Sequence, residues 1–350
     1  IASVDLQEGI HMNFRQLRNI SLLFTFCISN LVFVDTDLAQ SPGESGNRSQ
    51  QNKSPDSRSK SQRLEIIENI PYADTENPRQ QLDLFLPQRR VNDAPLPIVA
   101  FIHGGGWRNG SRRSGLSFLG PLVRTGKYIG VSIGYRLTDE AIWPAQIHDC
   151  KAAIRWLRAN AANYTADPEK IVVAGSSAGG HLVAILGTSG DVPDLEGELG
   201  IWGNKSSRVE GVVNFFGPSD FTSMGGWHNN PDSPESLLLG GPVQDNKKIA
   251  RTASPITYVS KDDPPFLTIH GTKDSLVPFE QSVQLHDSLQ NAGVVSRLIP
   301  IEGGGHGRPQ LSELDDRIRL FLENQFDGKN HEISTQSIPS RKLPHRKQIQ

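Results

Sequence analysis

Three residues lying far apart in the chain have the types and surroundings that acyl transfer requires. Ser177 stands in Gly175-Ser176-Ser177-Ala178-Gly179, directly after the apolar run Ile171-Val172-Val173-Ala174 and directly before His181-Leu182-Val183-Ala184-Ile185-Leu186. A strand turning sharply into a helix at a serine is the build of a nucleophile elbow. The turn matters because a serine hydroxyl is a poor nucleophile unless it is held clear of the sheet, beside a base and backbone N–H donors. The pentapeptide alone is a weak signal, and its context has to decide.

His306 supplies a base. It lies in Glu302-Gly303-Gly304-Gly305-His306-Gly307, past the last expected strand, where glycines let a loop carry the ring back towards Ser177. Histidine, with an ordinary side-chain pKa of about 6.5, has an unprotonated nitrogen at neutral pH. Asp274 follows the run Phe266-Leu267-Thr268-Ile269-His270-Gly271, again just beyond a strand end, where open α/β sheets assemble their sites. Its carboxylate would orient the imidazole and stabilise the imidazolium formed during transfer. Asp220, after Phe215-Phe216-Gly217-Pro218-Ser219, is the rival. Asp274 is preferred because the chain order Ser, Asp, His then matches the usual strand positions. His103-Gly104-Gly105-Gly106-Trp107 leaves another strand end, and consecutive glycines can present N–H groups to a substrate without side chains in the way. Loss of one oxyanion donor typically costs about 2.7 to 4 kcal/mol of transition-state stabilisation.

Positioning these residues requires a regular scaffold. Short runs rich in Val, Ile and Phe alternate with longer helical patterns, the sequence form of an α/β fold with a mostly parallel central sheet and helices on both faces. Strands are expected at 81–86, 98–103, 128–135, 171–175, 211–216, 266–271 and 296–301. Helices are expected at 117–125, 145–163, 177–188, 279–292 and 311–326. Residues 217–265, with Pro218, Pro231, Pro234, Pro242 and Pro255 among them, read as a partly irregular excursion that overhangs the site. Ile147, Cys150, Ile154, Leu157 and Ala161 trace one helix face, so Cys150 is expected to be a buried structural thiol.

Within the 350 residues, the catalytic domain is expected to span 63–327. Residues 40–62 hold no large apolar side chain and read as a disordered linker, and 328–350 read as a disordered basic tail. Residues 1–39 divide into an upstream extension and, from Met12, an export signal: Arg15 and Arg18 precede an apolar core shorter than the roughly 20 residues of a spanning helix. The expectation is therefore a secreted or periplasmic protein without a stable membrane anchor. A net charge of −2 speaks against a nucleic-acid-binding role. No Cys and His spacing suggests a metal site, and no cofactor is implied.

Taken together, His103 to Trp107, Gly175 to Gly179, Asp274 and His306 resemble the α/β-hydrolase superfamily, in its esterase and lipase branch with a His-Gly-Gly-Gly motif. The resemblance implies Ser177 as nucleophile, His306 as base and Asp274 as acid. It further implies an oxyanion hole from the N–H groups of Gly105, Gly106 and Ala178, with Trp107 touching substrate. Pro144 to Arg158 and Ser176 to His181 are similar to secreted bacterial esterases related to acetylxylan and feruloyl esterases. Only about forty residues separate Arg63 from His103, too few for an N-terminal helical cap, so an open site is expected. Such a site suits short acyl groups displayed on a polysaccharide. An amide hydrolase resembling kynurenine formamidases, or a lipase, could use the same triad. A hydrolase fold kept only as a binding module is the non-enzymatic alternative. The other histidines, His103, His148, His181, His270 and His286, are expected to pack or hydrogen-bond.

Overall fold

A computed structural model of the protein describes residues 64–190 and 192–340. Among them nine strands form one sheet: β1 (Leu64–Pro71), β2 (Gln81–Pro87), β3 (Leu96–Ile102), β4 (Ile129–Ile133), β5 (Ala166–Ser176), β6 (Gly211–Phe215), β7 (Phe266–Gly271), β8 (Ser296–Glu302) and β9 (Ile338–Pro339). Their spatial order is β1-β2-β4-β3-β5-β6-β7-β8-β9. β2 runs antiparallel to both β1 and β4, whereas every neighbouring pair from β4 to β9 is parallel.

Alternation along the inner strands builds two cores. Ile98, Ala100 and Ile102 of β3 and Ile171 and Val173 of β5 face one side, while Val99, Phe101, Val172 and Ala174 face the other. Parallel strands need crossovers, and the crossover helices cover both faces, which is why these runs read as continuously apolar. The first face carries α2 (Ala145–Asn160), α3 (Ala178–Thr188) and α7 (Glu280–Asn291). The second carries α1 (Leu116–Arg124) and α8 (Ser312–Asp327) through Phe118, Leu119, Ile318 and Leu322. Cys150 lies fully buried on α2, and burial pushes its thiol pKa well up, as befits a structural position.

Residues 217–265 are more ordered than an irregular excursion. They contain α5 (Pro234–Leu239) and α6 (Lys247–Thr252) with single 3₁₀ turns at Gly226–Asn229 and Pro255–Tyr258. Phe221, Leu238, Leu239 and Ala253 anchor the segment in the core beside α3. The short α4 (Pro193–Glu196) lies ahead of it, its Glu196 paired with the buried Lys151 and Arg155.

The expected domain end at 327 needs correction, because the chain stays folded to Ser340. Ile333 and Ile338 are each 3% exposed, β9 pairs with β8, and Arg317 Nη1 donates to the Gln336 carbonyl at 2.6 Å. Two isolated apolar anchors leave no hydrophobic period, so composition alone gave this segment the look of a tail. At the other end, β1 pairs with β2 from Leu64, an edge strand whose mixed burial hides its alternation. The apolar segment after Met12, the stretch 40–62 and residues 341–350 lie outside the described residues. Among the described residues no helix is long and apolar enough to cross a membrane.

Candidate active site

Ser177 sits between the end of β5 and the start of α3 with φ 55° and ψ −120°, a backbone conformation that only a tightly determined setting holds in a non-glycine residue. Its N–H donates to the Phe215 carbonyl of the neighbouring β6 at 2.9 Å, and its carbonyl accepts the His181 N–H at 2.9 Å. The turn depends on Gly179, where a Cβ would lie 2.1 Å from the Ile102 carbonyl oxygen at the end of β3. Ala178 opens α3, so its N–H is among the helix donors with no partner inside the helix.

The loop after β3 lies against this elbow. A Cβ on Gly104 would meet the Ser176 carbonyl at 2.6 Å and Ser177 Cβ at 3.3 Å. Gly105 has φ 119°, and its carbonyl accepts from the N–H groups of both Arg108 and Asn109, so the glycine run is a fixed turn. His103 anchors its start: the ring is 2% exposed, stacks on Tyr135 with centroids 4.4 Å apart, and places Nδ1 2.8 Å from the Gly104 carbonyl. Burial, only partly offset by that carbonyl, lowers its pKa to about 4.

Trp107 anchors the end of the loop, and the expectation that it grips substrate is corrected in this respect. Trp107 borders the cavity, but the residue is only 2% exposed and its indole packs in the core. The indole N–H donates to His181 Nδ1 at 3.2 Å, and the ring meets Phe221 edge-on at 5.4 Å. His181 in turn donates through Nε2 to the Ala253 carbonyl at 2.6 Å, which ties α3 to both the glycine loop and residues 217–265. Complete burial, only partly offset by that carbonyl, lowers the His181 pKa to about 4, so the ring is neutral.

Asp274 and His306 meet across two adjacent strand ends. His306 Nδ1 donates to Asp274 Oδ2 at 2.7 Å, leaving Nε2 to face elsewhere. The Asp274 side chain is fully buried, and its Oδ1 accepts the N–H groups of Leu276 and Val277 at 2.8 and 2.9 Å. Burial works against ionisation, but the donors from His270, His306 and the two N–H groups outweigh it and hold the carboxyl well below the ordinary range. The rival Asp220 spends its Oδ1 on the N–H and hydroxyl of Thr222 in a local turn. His306 rests edge-on against Phe216 at 4.7 Å. Two residues on, Arg308 lies over the rings of Phe118 and Phe215 at 5.4 and 5.7 Å and pins the loop to α1 and β6.

One contact at this site was missing from the sequence reading. His270 Nε2 lies 3.2 Å from Asp274 Oδ2 and 3.0 Å from the Val277 carbonyl, while its Nδ1 accepts the Ser282 hydroxyl at 2.6 Å. Its position four residues before Asp274 at the same strand end was the available signal. Trp227 and Glu235, which also border the cavity, come from elements too short to leave a pattern.

Ser177, His306, Gly105, Gly106 and Ala178 line one open cavity of about 700 Å³. The cavity is thus bordered by a serine hydroxyl, an imidazole backed by an ionised carboxylate, and backbone N–H groups of two loops, the kinds of group acyl transfer uses. No group of three or more His, Cys, Asp or Glu among the described residues is placed to hold a metal.

Fold and site together define an α/β hydrolase of the esterase branch. The chain belongs to the BD-FAE family, which matches residues 82–289. It is similar to esterase LipC of Mycobacterium tuberculosis, with 34% identity over 66% of this chain and 58% of that protein. The chain spans about half the length of the curated relatives it matches, 58%, 50% and 45% for the first three. Among solved structures, a truncated carbohydrate esterase from gut microbiota superposes with TM-score 0.69 at 35% identity, covering 75% of this chain and 96% of that one. A bifunctional GH43-CE protein of Bacteroides eggerthii gives TM-score 0.70 at 36% identity, covering 75% of this chain and 38% of that one.

Proposed function

We propose that the protein is a serine carboxylic-ester hydrolase acting on short acyl esters of carbohydrate, with Ser177, His306 and Asp274 as its triad. The observation that carries this reading is the 2.7 Å bond from His306 to the ionised Asp274, on the same cavity as a serine held in an elbow conformation. Ser177 Oγ attacks the ester carbonyl while its proton passes to His306 Nε2, and the N–H groups of Gly105, Gly106 and Ala178 receive the developing oxyanion. Collapse of the tetrahedral intermediate breaks the carbon–oxygen bond, the alcohol leaves with the proton from His306, and an acyl-serine remains. Water then attacks the acyl carbon and gives a proton to His306. The serine oxygen departs, takes that proton back, and the carboxylic acid is released.

The carbohydrate ester is favoured by the solved carbohydrate esterase from gut microbiota, by the GH43-CE protein beside it, and by the open cavity. Rates on acetylated xylan, on p-nitrophenyl esters from acetate to palmitate, on long-chain triglyceride and on N-formylkynurenine test this reading. Acetylated xylan and the short p-nitrophenyl esters should be hydrolysed far faster than the others. Hydrolysis of long-chain triglyceride or of the formamide without any deacetylation of xylan would contradict it.

A further inference from the structure

The catalytic scheme leaves one wall of the cavity without a role, the stretch from Trp227 to Glu235. Glu235 lines the cavity, yet only 4% of its side chain is exposed. Oε1 lies 3.1 Å from His228 Nδ1 without forming a hydrogen bond, and among the described residues neither His228 Nδ1 nor the buried Oε2 has a hydrogen-bond partner. A carboxylate is an acceptor only, and a buried acceptor left unpaired is unfavourable. Packing alone therefore does not account for this glutamate. The wall is also well braced. Ser233 Oγ donates to the His228 carbonyl at 2.7 Å, and Pro234 packs on the oxyanion loop, where a Cβ on Gly106 would lie 3.2 Å from Pro234 Cβ. Trp227 lies beside His228, ring centroids 3.9 Å apart, yet keeps 43% of its surface exposed at the cavity rim. An apolar plane and a partnerless acceptor are thus held at fixed positions beside the oxyanion loop.

We propose that Glu235 and Trp227 form the subsite for the alcohol half of the ester, a sugar ring whose free hydroxyl next to the acylated oxygen donates to Glu235 while its C–H face stacks on Trp227. This rests on the carbohydrate-ester reading above. A hydroxyl supplies a donor to the Glu235 carboxylate, and the axial C–H groups of a pyranose suit an indole face. A neutral polyol fits better than a cationic alcohol, because His228 already faces the carboxylate and Arg108 balances Asp232 in the cavity lining.

The test is the ratio of kcat/KM for an acetylated xylo-oligosaccharide to that for p-nitrophenyl acetate, measured for the full chain and for Glu235→Leu and Trp227→Ala. Both variants should lower the ratio tenfold or more, and Glu235→Gln, which keeps an acceptor, should lower it less. Trp227 is largely exposed, so its variant keeps the test valid if Glu235→Leu does not fold. Unchanged ratios in a protein that deacetylates the oligosaccharide would overturn the subsite alone. An unmodified protein that hydrolyses p-nitrophenyl acetate but not the oligosaccharide would overturn the carbohydrate reading and the subsite together. A selective loss of acetylcholine hydrolysis in Glu235→Leu would overturn the subsite by assigning the glutamate to a cation.

Discussion

Asp274 stays ionised because four donors converge on two oxygens that burial alone would protonate. No titration of this carboxyl is therefore expected in the range where activity is measured. Asp274→Asn should lower kcat by about 10³ to 10⁴ by replacing a charged acceptor with an amide that can donate to the ring and hold the wrong imidazole tautomer. Ser177, Asp274 and His306 were legible in the sequence because each stands at a strand end with glycines beside it. His270 and Glu235 were not, since a histidine inside an apolar strand and a glutamate in a helix of six residues leave no pattern that marks their contacts.

At the scale of elements, the elbow and the glycine loop hold each other in position. The 2.1 Å approach at Gly179 leaves no room for a methyl group against the backbone of β3. Gly179→Ala should accordingly cost both activity and stability, with a melting temperature several degrees lower by calorimetry; an unchanged transition would show that the approach is looser. His181 links α3, Trp107 and Ala253, and it folds as a neutral ring with a pKa near 4 against the ordinary 6.5. Between those values the unfolded chain binds the proton and the folded one does not, so this histidine's effect on stability becomes less favourable as pH falls from 6.5 to 4. The stability gap between the unmodified protein and His181→Gln in urea should therefore narrow from pH 7.5 to pH 4.5. A constant gap would mean that the ring is not held neutral. The long strands and helices announced themselves through alternation and helical spacing. By contrast α5, α6 and the 3₁₀ turns around Trp227 are under two turns long, and tertiary anchors such as Phe221 and Leu238 fix them instead.

Across the whole molecule, the sheet carries the active site at the carboxyl ends of its parallel strands, and its far edge is closed by β9. Burial of Ile333 and Ile338 makes that closure a contribution to stability, of about 1.5 to 3 kcal/mol per side chain as an upper bound. Ending the chain at Asp327, or replacing both isoleucines by alanine, should lower the denaturant midpoint clearly; no change in either would return the segment to the status of a tail. The α/β class and the placing of the site were legible because buried parallel strands are apolar throughout. The closing edge was not, because two residues with a few backbone bonds leave no period to read. On the proposed mechanism one serine, Ser177, becomes covalently acylated. Treating the protein with a fluorophosphonate and mapping the adduct by peptide mass spectrometry tests this directly. A single stoichiometric adduct should form on Ser177 and be lost in Ser177→Ala together with ester hydrolysis. An adduct on Ser176, or hydrolysis that persists in Ser177→Ala, would contradict it.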